Sequence, residues 1–289
     1  MKITNKFDLP DPVVRAITAF DKGDQPKGLR VTTLIDSPRI SQLRRMHYSK
    51  LTEDVSQLVY RVWGSAIHEI ISRETSNAYV SEERLSHEVD GTLISGAIDY
   101  QFVEDDAVDL KDYKSTAAFG VTQGIKPAWE QQLNVYAYLI RQVKGLSVRS
   151  ASVVAFIRDW RQSDADTREK YPPAPIHEMP VHLWTDDEQD RYVEGRVRAH
   201  VNAEVRSDFD DLPHCTDEER WAQPTKWAVH KGLNKRALGV FDVEVDAKTF
   251  AGEAVDRNIQ RRPGRYVRCE SWCEVAPFCD QLNGGDQDD

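Results

Sequence analysis

Two aspartates and a lysine at strand spacing are the residues of this sequence that most directly suggest chemistry. One residue separates Asp112 from Lys114, so on a β-strand their side chains point to the same face. A tight turn at Asp105-Asp106 would place Asp99, on the preceding strand, opposite Asp112. Mg²⁺ prefers oxygen ligands, and a nearby ammonium group can polarise a phosphate or a water. The pattern predicts metal-assisted cleavage of a phosphodiester bond.

Other interpretations of this hairpin stay open. Taken alone, the pattern also describes a solvated hairpin face with an ordinary Asp–Lys ion pair. A second pair with the same spacing, Asp109 and Lys111, lies closer to the turn and points to the opposite face. We rank it below the pair formed by Asp112 and Lys114.

The helices on either side of the hairpin carry further polar residues. A helical stretch predicted over about 53–76 contains Gly64 and His68, and a lone histidine on a helix is more often structural than a metal ligand. The amphipathic stretch from Pro127 to about Gln142 contains Gln132 and Tyr136. Leu133, Tyr136 and Ile140 are expected to pack this helix on the sheet.

In their order and separation, the motifs G-x-x-x-H, G-x-x-D, D-x-K and Q-x-x-x-Y resemble the RecB-like branch of the PD-(D/E)xK nucleases. The resemblance covers about residues 37–140, and the cysteine-bearing tail extends it to the end. It implies a DNA nuclease that uses one or two Mg²⁺ or Mn²⁺ ions for in-line attack by water on phosphorus. It also implies an exonuclease acting on ends or single strands, similar to stand-alone phage enzymes of DNA recombination, repair or processing.

The same resemblance implies roles for individual residues. His68, Asp99 and Asp112 would be metal ligands, and the backbone carbonyl of Tyr113 would complete the metal site. Lys114 would orient or polarise the attacking water and the scissile phosphate. Further roles are implied for Gln132 and Tyr136, which would support the site and contact the DNA backbone, and for Glu88, which matches an acidic position preceding G-x-x-D.

Four cysteines suggest a second, structural metal site. Cys269, Cys273 and Cys279 form a compact trio, and Cys215 stands well before them. Clustered cysteines without a disulfide framework favour a metal site, which can be a 4Fe-4S cluster or a structural Zn²⁺. Free buried thiols are the third alternative. The split of one plus three is less typical of zinc, whose ribbons usually present two close pairs.

This split resembles the iron–sulfur arrangement of AddB-type nucleases. The chain departs from that pattern because its distant cysteine follows the nuclease core and because three residues, not two, separate Cys269 from Cys273. The resemblance implies a 4Fe-4S cluster that clamps the C-terminal segment onto the body.

The order of predicted elements indicates a mixed α/β fold with a central mixed sheet flanked by helices. Helices come first, then strands over about 86–89, 93–103 and 107–114, then a helix, two strands and a helix opened by a capping box at Thr185. We predict an N-terminal extension over 1–36, a nuclease core over 37–206, a cysteine-cluster segment over 207–282 and a disordered tail over 283–289.

Composition sets limits on partners and location. The net charge is −10, so DNA binding would need a local basic groove and bound cations rather than a generally basic surface. Two basic groups could track phosphates or could simply face solvent: Arg39, Arg44, Arg45 and Lys50, and Arg261, Arg262, Arg265 and Arg268. No membrane-spanning stretch or signal peptide is recognisable, so we expect a cytoplasmic protein.

Three functions are therefore weighed. The first is a metal-dependent DNA exonuclease, and the second is a non-catalytic module on a nuclease fold that binds DNA ends or proteins. The third is an RNA nuclease. The residues His68, Asp99, Asp112 and Lys114 together favour the enzyme.

Overall fold

A computed structural model describes residues 1–19, 28–73, 79–206, 211–252 and 254–283 of the 289-residue chain. Residues 284–289 of the predicted disordered tail lie outside the described residues. The strands are β1 (Lys2–Thr4), β2 (Leu29–Arg30), β3 (Thr52–Asp54), β4 (Tyr79–Val89), β5 (Thr92–Glu104), β6 (Ala107–Thr116), β7 (Ser147–Ile157), β8 (Ile176–Val181), β9 (Ala222–Gln223), β10 (Lys226–Lys231), β11 (Gly239–Phe241), β12 (Arg257–Arg262) and β13 (Arg265–Tyr266).

Helices cover both faces of the main sheet, and several are single turns. The helices are α1 (Asp11–Ala19), α2 (Val31–Leu34), α3 (Pro38–His47), α4 (Val59–Ser72), α5 (Ala118–Thr122), α6 (Pro127–Lys144), α7 (Gln162–Ala165), α8 (Asp186–Glu204), α9 (Asp217–Arg220), α10 (Glu244–Ala251), α11 (Val267–Ser271) and α12 (Asp280–Asn283). Among them, α8 begins with the predicted capping box, in which Thr185 and Glu188 bond each other's backbone N–H groups.

The central sheet is mixed, as predicted. Its strand order is β2-β5-β6-β7-β8, and β4 pairs with the other edge of β5. The pairs β2–β5 and β6–β7 are parallel, whereas β4–β5, β5–β6 and β7–β8 are antiparallel. The parallel pair β6–β7 is joined through α6, as a crossover connection requires.

Two-residue turns join β4 to β5 and β5 to β6. Asp90-Gly91 closes the first hairpin, and Asp105-Asp106 closes the second. All four residues have positive φ, which is the geometry of the tight turns whose twist matches that of the flanking strands. Such turns fix the register of the strands they join.

The main core lies between the sheet and α6. Leu133, Leu139 and Ile140 of α6 are buried against Ile98 and Leu110 of the sheet. The helix begins with Pro127 in its first turn, and Gly145 ends it in the left-handed conformation. Because α6 is anchored along its length, it can hold polar side chains at fixed positions over the sheet.

The core begins earlier than predicted. Leu29 and Arg30 pair with β5, and Val31 and Leu34 are buried in the main core. The predicted boundary at residue 37 is therefore too late. It was missed because β2 and α2 are too short to show a hydrophobic period.

The predicted cysteine-cluster segment contains a small sheet. The strands β10, β11 and β12 pair in the order β11-β10-β12, and α10 packs on them through Ala247 and Ala251. A separate cluster joins the cysteine-bearing end to α3, whose Ile40 and Leu43 pack with Val275 and Cys279.

Candidate active site

His68, Glu82 and Asp99 form the densest group of possible metal ligands in the described part of the chain. His68 Nδ1 lies 3.1 Å from Glu82 Oε1 and 3.3 Å from Asp99 Oδ1. One donor atom from each of the three residues lies within 4.8 Å of the others. The helix α4 thus supplies an imidazole and two sheet strands supply carboxylates, which is a donor set that suits a divalent ion.

The first hairpin places Glu82 opposite Asp99. On β4 and β5, Ser81 pairs with Tyr100 and Glu83 pairs with Ile98, so Glu82 and Asp99 fall in the same register position. Glu82 has a φ of 53°, which is uncommon for a residue other than glycine inside a strand. Backbone strain of this kind clusters at functional sites, where the surrounding structure maintains it.

The second hairpin fixes the other side of Asp99. The ladder between β5 and β6 ends with Tyr100 and Lys111, one position before Asp99 would meet Asp112. Beyond that point Asp99 Oδ2 accepts a hydrogen bond from the backbone N–H of Tyr113 at 2.8 Å. The sheet therefore opens at Asp99, and a carboxylate takes the place of a ladder bond.

Asp112 is buried beside this opening. Its Oδ1 accepts a hydrogen bond from Gln132 Nε2 at 3.1 Å, and its Oδ2 lies 2.7 Å from Lys114 Nζ. That ion pair does not have hydrogen-bond geometry, so Oδ2 remains a buried acceptor without a well-aligned donor. Burial raises the pKa of Asp112 to about 6; the Lys114 charge opposes this rise and the Asp99 charge adds to it.

Gln132 and Tyr136 of α6 support Asp112 from behind. The amide group of Gln132 also donates to the Tyr136 hydroxyl at 2.9 Å, and both side chains are buried. Burial is also the main cause that raises the pKa of Tyr136. Gly96 makes room for the ring, because a Cβ at this position would lie 2.5 Å from Tyr136 Cε1. Close packing against the Tyr136 ring therefore explains why the G-x-x-D motif has a glycine at this position.

The positive charge of the His68 side chain compensates the negative charges of the two carboxylates around it. Its hydrogen bonds to Asp99 and then Glu82 raise the pKa of His68 to about 10, although burial opposes the rise. The imidazolium form donates to the carboxylates in this arrangement. A divalent ion would replace that positive charge, because a metal ligand must be the neutral imidazole.

The structure brings most of the predicted site residues together, but the acidic residue that β4 contributes is Glu82 and not Glu88. Asp112 and Lys114 lie next to the group of His68 and Asp99, although Asp112 is not among the three closest donors. Tyr113 contributes its N–H to Asp99, and the role of its carbonyl stays a prediction. Gln132 donates to Asp112 and to Tyr136, and both side chains are buried; their predicted roles stay predictions.

Glu88 is the incorrect residue. It pairs with Leu93 near the start of the hairpin, and it is exposed. Six residues separate it from Glu82, which is about 20 Å along a strand. Glu82 was missed because the strand was predicted to begin at Ser86. The signal was present, since counting back from the Asp90-Gly91 turn places Glu82 opposite Asp99.

The four cysteines line one pocket between α3 and the C-terminal segment. Burial raises the pKa of Cys215 to about 11 and also raises the pKa of Cys273. The Cys215 Sγ lies 3.1 Å from Ser37 Oγ, and the Ser37 side chain makes no capping hydrogen bond at the start of α3. Four thiols around one space are an arrangement that a bound metal group would complete.

The cysteines do not match a mononuclear zinc site as they stand. A Zn²⁺ ion bound at about 2.3 Å by four thiolates needs sulfur–sulfur separations of about 3.8 Å. Among the described residues, no three of these cysteines have sulfur atoms within 4.8 Å of one another.

The predicted basic groups are largely occupied by ion pairs. Arg39 is fully buried; it pairs with Asp280 and donates to Cys279 Sγ at 3.4 Å, so it neither tracks phosphates nor faces solvent. Arg44 pairs with Glu274, and Arg45 pairs with Glu204. In the second group, Arg265 pairs with Glu270 and Arg268 with Asp36, and Arg261 and Arg262 are exposed on β12.

The sequence was compared with models of known protein families. The model of the PD-(D/E)XK nuclease superfamily matches residues 30–280. The chain belongs to the PD-(D/E)XK nuclease superfamily. The match confirms the predicted superfamily and its mixed α/β fold, and it extends from the end of β2 through the cysteine-bearing segment. No curated protein matched the sequence.

Solved structures resemble this nuclease only in part. The structure of SSO0001 is 14% identical with a TM-score of 0.44, covering 65% of this chain and 85% of the other. A putative exonuclease from Eubacterium rectale is 13% identical with a TM-score of 0.31, covering 67% and 74%. An alkaline exonuclease from Laribacter hongkongensis is 11% identical with a TM-score of 0.32, covering 60% and 86%. These TM-scores are below 0.5, so the assignment rests on the family match.

The location of this nuclease is addressed by one structural finding. Within the described ranges, no helix combines the length and the apolar character needed to cross a lipid bilayer.

Proposed function

We propose that this PD-(D/E)XK nuclease is a metal-dependent DNA exonuclease whose metal site is formed by His68, Glu82, Asp99 and Asp112. The observation that carries the proposal is the meeting of His68, Glu82 and Asp99 beside a buried Asp–Lys pair. The exonuclease part rests on the RecB-like resemblance of the sequence motifs.

The charges around this site fit one divalent ion. With neutral imidazole, the carboxylates of Glu82, Asp99 and Asp112 stand against the single ammonium of Lys114. Two net negative charges are therefore uncompensated. The buried Oδ2 of Asp112, which has no well-aligned donor, gives the same indication. Mg²⁺ or Mn²⁺ suits this mostly oxygen donor set.

The chain's own residues would position the reactants. Asp99 is fixed by the Tyr113 N–H, and Asp112 is fixed by Gln132, so neither carboxylate needs to reorient when DNA binds. Lys114 Nζ carries three N–H donors and forms an ion pair with Asp112, so donors are left for a phosphate oxygen or the attacking water. A bound divalent ion would lower the pKa of that water and neutralise charge on the phosphate.

We also propose that the four cysteines hold a 4Fe-4S cluster with a structural role. The pocket they share and the spacing of their sulfur atoms support this over a single Zn²⁺ ion. The cluster would join Cys215 to the C-terminal trio and hold the segment against α3. Arg39 would donate to Cys279 within this arrangement.

The two lysines of the second hairpin test the catalytic proposal. Lys111 pairs with Glu178 at 2.8 Å, whereas Lys114 pairs with Asp112. We expect Lys114→Ala to reduce the Mg²⁺- or Mn²⁺-dependent cleavage rate by roughly 10² to 10³-fold, the size of effect seen when one transition-state donor is removed. Lys111→Ala is the matched control and should keep the parent rate within about threefold.

The choice of substrate tests the rest of the proposal. Linear duplex, single-stranded and covalently closed circular DNA, and RNA, should be compared in the same metal buffer. Cleavage of linear DNA with closed circles intact supports an exonuclease. Preference for RNA would contradict the DNA assignment, and absence of cleavage on every substrate would favour a non-catalytic binding module.

A further inference from the structure

An exposed pair of aromatic rings lies on α4, the helix that carries His68. Tyr60 is 55% exposed and Trp63 is 45% exposed. Their ring centroids are 5.7 Å apart in an edge-to-face arrangement. Large aromatic side chains on a surface need an explanation when they form a contiguous group.

A guanidinium group lies over both rings. Arg158 Cζ is 4.6 Å from the centre of the Tyr60 ring and 5.6 Å from the centre of the Trp63 ring. Its other contacts in the described structure are two long ones to the carbonyl and hydroxyl oxygens of Ser115, at 3.4 and 3.5 Å. The positive charge therefore rests on aromatic faces rather than on a carboxylate.

A second positive charge is close by. Burial and the charge of Arg158 lower the pKa of Lys126, and Lys126 Nζ lies 4.6 Å from the Trp129 ring. In a chain with a net charge of −10, two neighbouring cations held on rings are suited to an anionic ligand.

This group lies next to the proposed metal site. The backbone N–H of Arg158 donates to Thr116 at 3.0 Å, so Arg158 is anchored two residues beyond Lys114 on β6. Trp63 precedes His68 by five residues, which is about 7.5 Å along the helix axis. That length is about two nucleotide steps at 3.4 Å per strand.

Between the aromatic rings and His68, the surface of α4 carries no side chain at Gly64. Gly64 lies one turn after Tyr60 and one turn before His68, so the three share one helix face. Nothing lies within 4 Å of where a Cβ at Gly64 would be. A nucleic acid strand could therefore pass close to the backbone of α4 at this point.

We propose that Tyr60, Trp63 and Arg158 form a binding site for an unpaired nucleotide adjacent to the scissile phosphate. The rings stack on the base, and the guanidinium binds the phosphate. Aromatic rings accept any base because every base has a flat face, and a paired base in a duplex cannot offer that face. The inference rests on the proposed nuclease function and specifies its substrate as a single-stranded or frayed end.

The test measures stacking without requiring cleavage. The full-length Lys114→Ala protein is titrated, in Mg²⁺, into single strands with 2-aminopurine at successive positions and into the matching blunt duplex. We expect quenching of 2-aminopurine fluorescence at one position near the end. Trp63→Leu should abolish the quenching and weaken single-strand binding about 5- to 150-fold, the range for loss of one base–aromatic stack.

Matched variants separate stacking from general damage. Trp63→Phe keeps a ring and should bind within about threefold of the parent. Trp272→Leu removes a tryptophan that is more exposed than Trp63, at 71% in the cysteine segment, and should bind like the parent. Arg158→Gln should make the logarithmic salt dependence of single-strand binding shallower by about 0.7, the contribution of one phosphate contact.

The results that overturn the inference are distinct from those that overturn the nuclease proposal. Parent-like quenching in Trp63→Leu, equal losses in Trp63→Phe and Trp63→Leu, or an equal loss of duplex and single-strand binding would each reject the stacking site. Absence of metal-dependent cleavage by the parent protein, with quenching retained, would reject only the catalytic proposal.

Discussion

The proposed metal site and the cysteine pocket obtain their residues over very different chain distances. Glu82, Asp99 and Asp112 lie on three successive strands joined by two-residue turns, and the registers of those hairpins align them. In the chain, a small sheet lies between Cys215 and the trio of Cys269, Cys273 and Cys279. All four cysteines line one pocket beside α3, a helix near the start of the core. Short-range turn geometry therefore aligns the carboxylates of the first site, whereas long-range packing assembles the second.

The largest expected effect concerns the cysteine pocket. Cys279→Ser should remove bound iron and lower the free energy of unfolding by several kcal/mol, because binding energy at a structural metal site is folding energy. Iron and acid-labile sulfide analysis, with thermal unfolding, checks this result.

The cysteine prediction has its own contradicting outcome. One zinc per chain and no iron in protein purified without oxygen would replace the cluster with a mononuclear site. Thiols without metal, and unchanged unfolding in Cys279→Ser, would leave only free buried cysteines.

Glu82 and Glu88 test whether the first hairpin register builds the metal site. Glu82→Gln removes a charged ligand and should reduce metal affinity about 10²-fold or more, equivalent to about 2.7 kcal/mol. Mn²⁺ titration by calorimetry, followed by cleavage at saturating Mn²⁺, measures it.

Glu88→Gln is the control, since it changes the same side chain on the same strand about 20 Å away. It should bind Mn²⁺ like the parent protein. A larger effect at Glu88 than at Glu82 would show that the strand register described above is incorrect.

Arg39 tests how strongly the cysteine segment depends on α3. Arg39→Met keeps much of the side-chain length but removes the donors to Leu212, Cys279 and Asp280. Because Asp280 is 40% exposed, its charge stays partly hydrated, and we expect a loss of roughly 2–3 kcal/mol rather than the full cost of a buried broken pair. Urea unfolding measures the loss. The comparison variant is Arg45→Met on the same helix, whose exposed pair should contribute less than about 1 kcal/mol.

Two glycines give the smallest effects and opposite signs. Gly96→Ala places a Cβ against the buried Tyr136 ring and should destabilise the fold by about 1–3 kcal/mol. It should also slow cleavage, because Tyr136 and Gln132 hold Asp112.

Gly195→Ala on α8 meets no atom within 4 Å and should stabilise the protein by up to about 1 kcal/mol through helix propensity. Thermal unfolding of both variants provides the comparison. Equal behaviour of the two would mean that Gly96 has no packing role.

The sequence by itself determined the parts of the fold that follow local rules. Alternation and the turn at Asp105-Asp106 predicted β5 and β6 and placed Asp99 by Asp112. The capping box at Thr185 predicted the start of α8, and the apolar period predicted α6. Counting back from the Asp90-Gly91 turn in the same way places Glu82 opposite Asp99. The sequence therefore contained the information needed to predict Glu82, although it was not used.

Only the tertiary structure decided the rest. Nothing local indicates that Arg39 is buried beside Cys279, because exposed and buried arginines have the same spacing on a helix. The position of α4, which brings His68 to two carboxylates and its aromatic rings to Arg158, depends on how the helix lies on β6. Apolar periodicity and turn chemistry act over a few residues. These contacts instead depend on packing among elements that are far apart in the chain.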